Sequence, residues 1–345
     1  MSHSLSDFDI NGPGLPGNIF GLPFTQESAQ LVLLPIPWEA TVSYHSGTAA
    51  GPEAILAASR QVDFFMREIP DAWKLGVSMT SIPHEVKATS DKLRILVEQF
   101  HASGSTDPLV PQKVNEDCEN LNIYVKRQVS DMLTAGKLVG LVGGDHSTPL
   151  GFIRALSERN DKFAILQIDA HADLRKSYEG FVYSHASIMY NALKIPSVTK
   201  LVQVGIRDLC DAEYEVIRRG AGRIQTFFDE DIKSRMNAGT TWETICTDIV
   251  KELPQKVYIS FDIDGLDPRY CPHTGTPVPG GLEYHHAVDL IKAIAISGRT
   301  IIGFDLNEVA PGKENDWDSN VGARLLWQLC CWMGVSNNRL TYSAI

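Results

Sequence analysis

Two short acidic runs carry most of the chemistry this chain offers: Asp169-Ala-His171-Ala-Asp173 and Asp262-Ile-Asp264. Upstream, Gly143-Gly144-Asp145-His146-Ser147 adds a third segment. Together they supply His146, Asp169, His171, Asp173, Asp262 and Asp264, a nitrogen and oxygen donor set large enough for two divalent metal ions. Carboxylates packed this densely repel one another and are costly to bury unless paired or metal-bound. The four aspartates carry four negative charges, which two divalent cations would cancel. One aspartate alone would read as a turn or helix cap; six donors in three motifs read as a dinuclear metal centre. Residues two apart on a strand share a face, so each acidic run is expected to reach one site if extension continues. Such ligands suit Mn²⁺ and accept Co²⁺, Ni²⁺ or Zn²⁺, and the lack of motif cysteines disfavours soft-metal sites.

The segments that must position these residues follow a strand and helix alternation. Nearly continuous apolar runs predict strands at 31–36, 138–142, 163–168, 201–204, 257–261 and 300–304, of the kind covered on both faces. Helical patterns fall at 51–60, 90–100, 118–135, 148–158, 186–193, 214–219, 242–252, 285–297 and 319–333. Alternation of this kind implies a largely parallel sheet with helices on both faces. All three acidic motifs then follow the carboxyl end of a strand, where open parallel sheets bind ligands. Residues 1–29, rich in Gly, Pro and Ser, are expected to form an irregular arm over the surface, and 30–345 a single catalytic domain. The stretches 101–115 and 233–241 read as surface excursions.

Composition narrows the class. The chain has 345 residues, 43% hydrophobic and 21% charged, which is ordinary for a globular fold. A net charge of −11 argues against nucleic acid or an anionic membrane as a partner and suits a small cationic ligand. Six cysteines form no CxxC pair, which points to reduced thiols and a cytoplasmic location. No leader-like pattern opens the chain, and no run approaches the roughly 20 apolar residues that span a bilayer.

The ordered motifs Gly-Gly-Asp-His-Ser, Asp-Ala-His-Ala-Asp and Ser-Phe-Asp-Ile-Asp-Gly-Leu-Asp-Pro resemble the ureohydrolase family of arginase and agmatinase. The segments 46–52, 274–282 and 303–309 are similar too, so the resemblance runs from about Pro35 to the C-terminus. It implies a three-layer α/β/α sandwich with a mainly parallel eight-stranded sheet, two Mn²⁺ per chain with Ni²⁺ an alternative, and a homo-oligomer, trimeric or hexameric. Position by position, His146 and Asp173 would bind one ion and His171 the other, with Asp169, Asp262 and Asp264 completing both shells. The implied reaction is hydrolysis of a guanidino group by a hydroxide shared between the metals, releasing urea and an amine. Asp173 would pass a proton to the leaving amine, Glu308 would hold the guanidinium, and His185 would shuttle protons at the mouth. Arg175, Tyr183 and Thr276 join His185 and Glu308 as the implied substrate contacts. His45 and His273 fall in family loops near the entrance.

Substrate choice rests on the loops. After Asp173 the chain reads Leu174-Arg-Lys-Ser-Tyr-Glu-Gly-Phe-Val-Tyr-Ser184, without the Asn, Thr and Ser with which arginases grip an amino-acid head. The series is similar to agmatinases and favours agmatine, giving putrescine and urea. Arg175 or Lys176, if turned into the pocket, would instead favour a carboxylate tail, as in 4-guanidinobutyrate, 3-guanidinopropionate or N-formimidoylglutamate. Guanidine itself is a further alternative. Rivals of other classes are a non-catalytic metal-binding relative acting as a regulatory subunit, and a single-metal amidohydrolase or deacetylase.

Overall fold

All strand pairings in the sheet are parallel in the computed structural model, which describes residues 8–220 and 222–344. The strands are β1 (Leu31–Pro35), β2 (Val77–Met79), β3 (Leu138–Val142), β4 (Phe163–Ile168), β5 (Val198–Ile206), β6 (Ile224–Phe228), β7 (Lys256–Asp262) and β8 (Thr300–Asn307). Their order across the eight-stranded sheet is β2-β1-β3-β8-β7-β4-β5-β6. The chain therefore leaves β3, passes over the places later filled by β8 and β7, and enters at β4. That break in strand order opens a crevice at the carboxyl ends of the four central strands.

Helices cover both faces. On one side pack α1 (Gly51–Ser59), α7 (Asp229–Asn237), α8 (Trp242–Glu252), α9 (Tyr284–Ile296) and α10 (Trp317–Ser336). On the other lie α2 (His84–Ala102), α3 (Leu109–Thr134), α4 (Leu150–Ser157), α5 (Ile188–Ala192) and α6 (Asp211–Arg219). Strand residues alternate between the two cores: Ala164, Leu166 and Ile168 face the first, Phe163 and Ile165 the second. The period of two explains why these strands read as continuous apolar runs. No helix among the described residues is long and apolar enough to cross a membrane.

Several expectations need correction. The two edge strands β2 and β6 were not foreseen, because β2 is three residues long and β6 reads Ile-Gln-Thr-Phe-Phe with half-exposed faces. The stretch 101–115 is mostly helix, with α2 ending at Ala102 and α3 starting at Leu109; 233–241 holds the end of α7. Within the N-terminal arm, a 3-10 turn at Ile19–Gly21 is buried rather than spread over the surface. The Phe20 ring meets Trp327 of α10 edge-on with centroids 5.0 Å apart, and Phe20 N donates to Ser59 Oγ at 2.8 Å. Phe20→Ala is expected to lower unfolding free energy by about 3 kcal/mol, measured by denaturant titration. A change below about 0.5 kcal/mol would show that this segment lies outside the cooperative fold.

Candidate active site

The three motifs leave the sheet side by side. After β3, Gly143 and Gly144 pass so close to their neighbours that a Cβ would fall 1.7 Å from Asn307 Oδ1 and 1.9 Å from Trp38 O respectively. No other residue fits this turn, and it delivers Asp145 and His146 to the crevice. After β4, Asp169 stays paired to β5 through Asp169 N to Val204 O at 3.2 Å. Extension then stops. Asp169 Oδ1 accepts from His171 N at 2.6 Å, and Asp173 has a φ of +54°. At the end of β7, Asp262 caps a 3-10 turn, with its Oδ1 accepting from Asp264 N at 2.9 Å. The i, i+2 spacing thus works through carboxylate-capped turns rather than through a strand face.

All six candidate donors converge. His146 Nδ1 lies 3.0 Å from Asp169 Oδ2, 3.0 Å from Asp173 Oδ2 and 3.3 Å from Asp262 Oδ2. His171 Nδ1 lies 3.0 Å from Asp264 Oδ2 and 3.6 Å from Asp169 Oδ1. Two groups able to hold a metal ion follow, His146 with Asp169 and Asp262, and His171 with Asp169 and Asp264. Asp169 belongs to both, one oxygen turned to each. The aspartates and His146 are buried, while His171 is half-buried.

Electrostatics match the crowding. Burial, together with the charge of Asp169, pushes Asp173 up to about 7. Burial and the neighbouring Asp264 and Asp169 also drive Asp262 well above the carboxylate range. Burial works against ionisation of Asp169 too, but the two imidazoles overcome it and hold that carboxyl low. Burial disfavours charge on His146 and His171, yet their aspartate neighbours raise both rings well above the usual value.

The donor set fits a pair of divalent cations, and His146 shows it most directly. Its Nε2 lies 2.9 Å from Ser260 Oγ, whose one proton goes to Asp305 Oδ1 at 3.0 Å. Ser260 must therefore accept from Nε2–H, so neutral His146 keeps its lone pair on Nδ1. That buried Nδ1 has no hydrogen-bond partner, although carboxylate oxygens surround it. A metal ion is the group such a nitrogen lacks.

Two largely buried polar relays support the candidate donors, and the sequence reading missed both. One runs from His146 through Ser260 and Asp305 to Asn307, whose Oδ1 accepts from Thr148 Oγ1 at 2.8 Å. The other crosses the sheet: Gln167 Nε2 donates to Asp169 Oδ2 at 2.8 Å, Gln203 Nε2 to Gln167 Oε1 at 2.6 Å, and Thr226 Oγ1 to Gln203 Oε1 at 2.8 Å. The available signal was a glutamine inside each of two otherwise apolar strands, Gln167 and Gln203.

Glu308 sits at the edge of the cluster with a φ of +63°. Its Oε1 accepts from His146 N at 2.8 Å, and its own carbonyl accepts from Thr274 Oγ1 at 2.8 Å. Burial, with Asp262 and Asp145 nearby, raises its pKa well above the usual range. His185 opens the turn before α5, its Nδ1 3.3 Å from Ser184 Oγ. Burial, reinforced by His171 and His146, pushes its imidazole down to about 4.

The other expected contacts have these neighbours. Arg175 pairs with Glu213 at 3.5 Å and stacks over Tyr178 at 4.9 Å; Lys176 is exposed. The Tyr183 ring lies 5.9 Å from the Arg154 guanidinium of α4, so its neighbours are in the helical layer. Thr276 is half-buried in the mouth loop, but the hydroxyl tied to Glu308 belongs to Thr274. His273 is held by Asp318, with Nδ1 to Oδ2 at 2.8 Å. His45 N donates to Gly275 O at 3.3 Å, which joins the two entrance loops beside Glu308.

Comparison with known proteins agrees with this geometry. The sequence pattern of the Arginase family matches residues 29–331. The chain belongs to the Arginase family. An N(1)-aminopropylagmatine ureohydrolase of Synechocystis sp. is 31% identical over 314 residues, covering 90% of this chain and 91% of that protein. Another protein of that name, from Thermus thermophilus, is 33% identical over 288 residues, covering 84% and 85%. The solved agmatine ureohydrolase of Thermoplasma volcanium shares the fold, with a TM-score of 0.72, 24% identity and coverage of 96% and 97%. This Arginase-family chain is a hydrolase of guanidino C–N bonds, and its His/Asp clusters are able to hold metal.

Stability should reveal the crowded carboxylates. Acids whose folded pKa is raised bind more protons folded than unfolded, so stability falls as pH rises through that interval. With Asp173 raised to about 7 and Asp145 and Asp305 to about 6, metal-stripped protein should lose melting temperature between about pH 4 and 7. Added Mn²⁺ should reverse the loss most strongly at the upper end. A melting temperature that rises steadily over that range without metal would contradict the assignment. Ser260→Ala should weaken metal affinity about 10-fold or more in a chelator competition.

Proposed function

We propose that this centre binds two Mn²⁺, with Ni²⁺ able to substitute, and hydrolyses a linear guanidino compound with a cationic tail. Agmatine, or its longer N1-aminopropyl derivative, would yield urea and the corresponding amine. Glu308 carries the reading. It is a buried carboxylate beside the two donor groups, with one oxygen fixed by the His146 amide and the other left to a ligand. A guanidinium placed there makes directional, charge-assisted hydrogen bonds that fix its carbon over the cluster.

His146, Asp169, Asp173 and Asp262 would hold one ion, and His171, Asp169 and Asp264 the other, with Asp169 between them. When bound, the pair would supply a hydroxide nucleophile from water at neutral pH. The chain's own groups then manage position and protons. Asp173, its Oδ2 3.0 Å from His146 Nδ1 at the inner edge of the site, would hold a proton there and give it to the leaving amine. His185, in the turn before α5, would accept and pass on protons at the mouth.

Several features support a cationic tail. Arg175 is drawn aside by Glu213 and Tyr178, which removes a reason to prefer a carboxylate. Asp208, exposed, lies 3.9 Å from His171 Nε2 and adds negative charge to the rim. Relatives are named for N(1)-aminopropylagmatine. A cytoplasmic homo-oligomer with a one-domain catalytic body after the N-terminal arm completes the proposal.

The test is urea and amine release by metal-reconstituted protein on agmatine, N1-aminopropylagmatine, 4-guanidinobutyrate, 3-guanidinopropionate, arginine and guanidine, with formamide assayed from N-formimidoylglutamate. One of the first two should exceed every other compound in kcat/KM by about 10-fold or more. A carboxylate-tailed substrate in first place would overturn the cationic reading. Glu308→Gln should keep its metal and lose about 10- to 100-fold in kcat/KM. His185→Asn should keep its metal and lose much of kcat; an unchanged kcat across the pH range would remove His185 from proton transfer.

A further inference from the structure

The last turn of α2 and the second turn of α3 grip the loop that leads into His185. Residues Tyr178-Glu179-Gly180-Phe181 form a tight hairpin, with Tyr178 N donating to Phe181 O at 3.0 Å and Phe181 N to Tyr178 O at 2.8 Å. Both central residues have positive φ, Glu179 at 53° and Gly180 at 90°, as a type I′ turn requires. A hairpin this short, with its backbone bonds closed on themselves, moves as one piece. One end carries Tyr178, whose ring meets His185 edge-on at 6.1 Å and lies under the Arg175 guanidinium.

The other end is clasped from α3. Asn115 Oδ1 accepts from Val182 N at 2.7 Å, and Asn115 Nδ2 donates to Gly180 O at 3.2 Å. One amide side chain thus satisfies a backbone donor and a backbone acceptor of the loop, in place of a strand partner. His101, at the end of α2, adds a 3.5 Å contact from Nδ1 to Glu179 Oε2. Phe181 is buried beneath, with its ring 5.9 Å from that of His101. Asparagine is a poor helix former, so nothing local to α3 asks for it at position 115. Its two bonds across to the hairpin are the reason the structure offers.

We propose that Asn115 is a positioning residue for the hydrolytic reaction: through the 178–181 hairpin it sets Tyr178 against His185 and holds the imidazole in place for proton transfer. This rests on the role given to His185 above. Alanine at 115 would favour the helix while releasing the hairpin, so the two effects separate.

The experiment compares full-length, metal-loaded wild type with Asn115→Ala, Asn115→Asp, His185→Asn and the Asn115→Ala/His185→Asn double variant. On agmatine, kcat and KM are measured separately, and hydrogen exchange is followed at the Val182 amide. Asn115→Ala should lower kcat about 10-fold or more, with KM changed far less, and should speed exchange at Val182. Asn115→Asp, which keeps the acceptor for Val182 N, should recover most of the loss. The double variant should be no worse than His185→Asn alone. Unchanged kcat in Asn115→Ala beside an impaired His185→Asn would overturn the positioning role while leaving the role of His185 intact. Losses that multiply in the double variant would overturn it as well. A fully active His185→Asn would sink the role of His185 and this inference with it.

Discussion

Four aspartates share a buried pocket with two imidazoles, and this crowding of negative charge is what the surrounding structure has to accommodate. Such groups tolerate burial only with compensating charge or a dense set of hydrogen bonds. Asp169 is the pivot, because its two oxygens face different donor groups and each is already engaged, Oδ1 by the His171 amide and Oδ2 by Gln167. A carboxylate placed in this way orders both halves of the site at once. Burial first, and the neighbouring carboxylates after it, raise Asp173 and Asp262, while at Asp169 the two imidazoles outweigh the burial.

The sheet earns its place through the relays that run across it. Four central strands bring the motifs together, and polar side chains then stitch β7 to β8 and β4 to its neighbours β5 and β6. Gln167, Gln203 and Thr226 link β4, β5 and β6, while Ser260, Asp305 and Asn307 link β7 to β8. These groups are costly to bury alone and find the partners named above only in the assembled sheet. The relays therefore fix the rotamers and tautomers of His146 and Asp169 before any cation arrives. The positive φ values at Asp173 and Glu308 belong to the same pattern, because non-glycine residues take that conformation where their surroundings hold them in it.

Much of this was legible in the sequence because the strongest signals coincide. Apolar runs located six of the eight strands, and the acidic motifs lie at the carboxyl ends of three of them. Edge strands β2 and β6 escaped because short or half-polar strands lack that signal. The mode of convergence was misjudged: Asp262 and Asp169 act as turn caps, a detail set by backbone bonding that spacing alone does not encode. Tyr183 shows the same limit. It lies one residue from Ser184 and two from His185, yet its ring belongs to the α4 layer, since a turn reverses side-chain direction within two residues. The buried 3-10 turn around Phe20 was hidden by the Gly and Pro around it, which mask a few well-placed apolar residues.

The most direct test of the shared-carboxylate account is metal stoichiometry, measured by elemental analysis after equilibration with Mn²⁺ and gel filtration, on wild type and Asp169→Asn. The account predicts two ions per chain in the wild type and loss of both in the variant, because one side chain serves both donor groups. A wild type that binds only one ion, or a variant that keeps one at undiminished affinity, would contradict it.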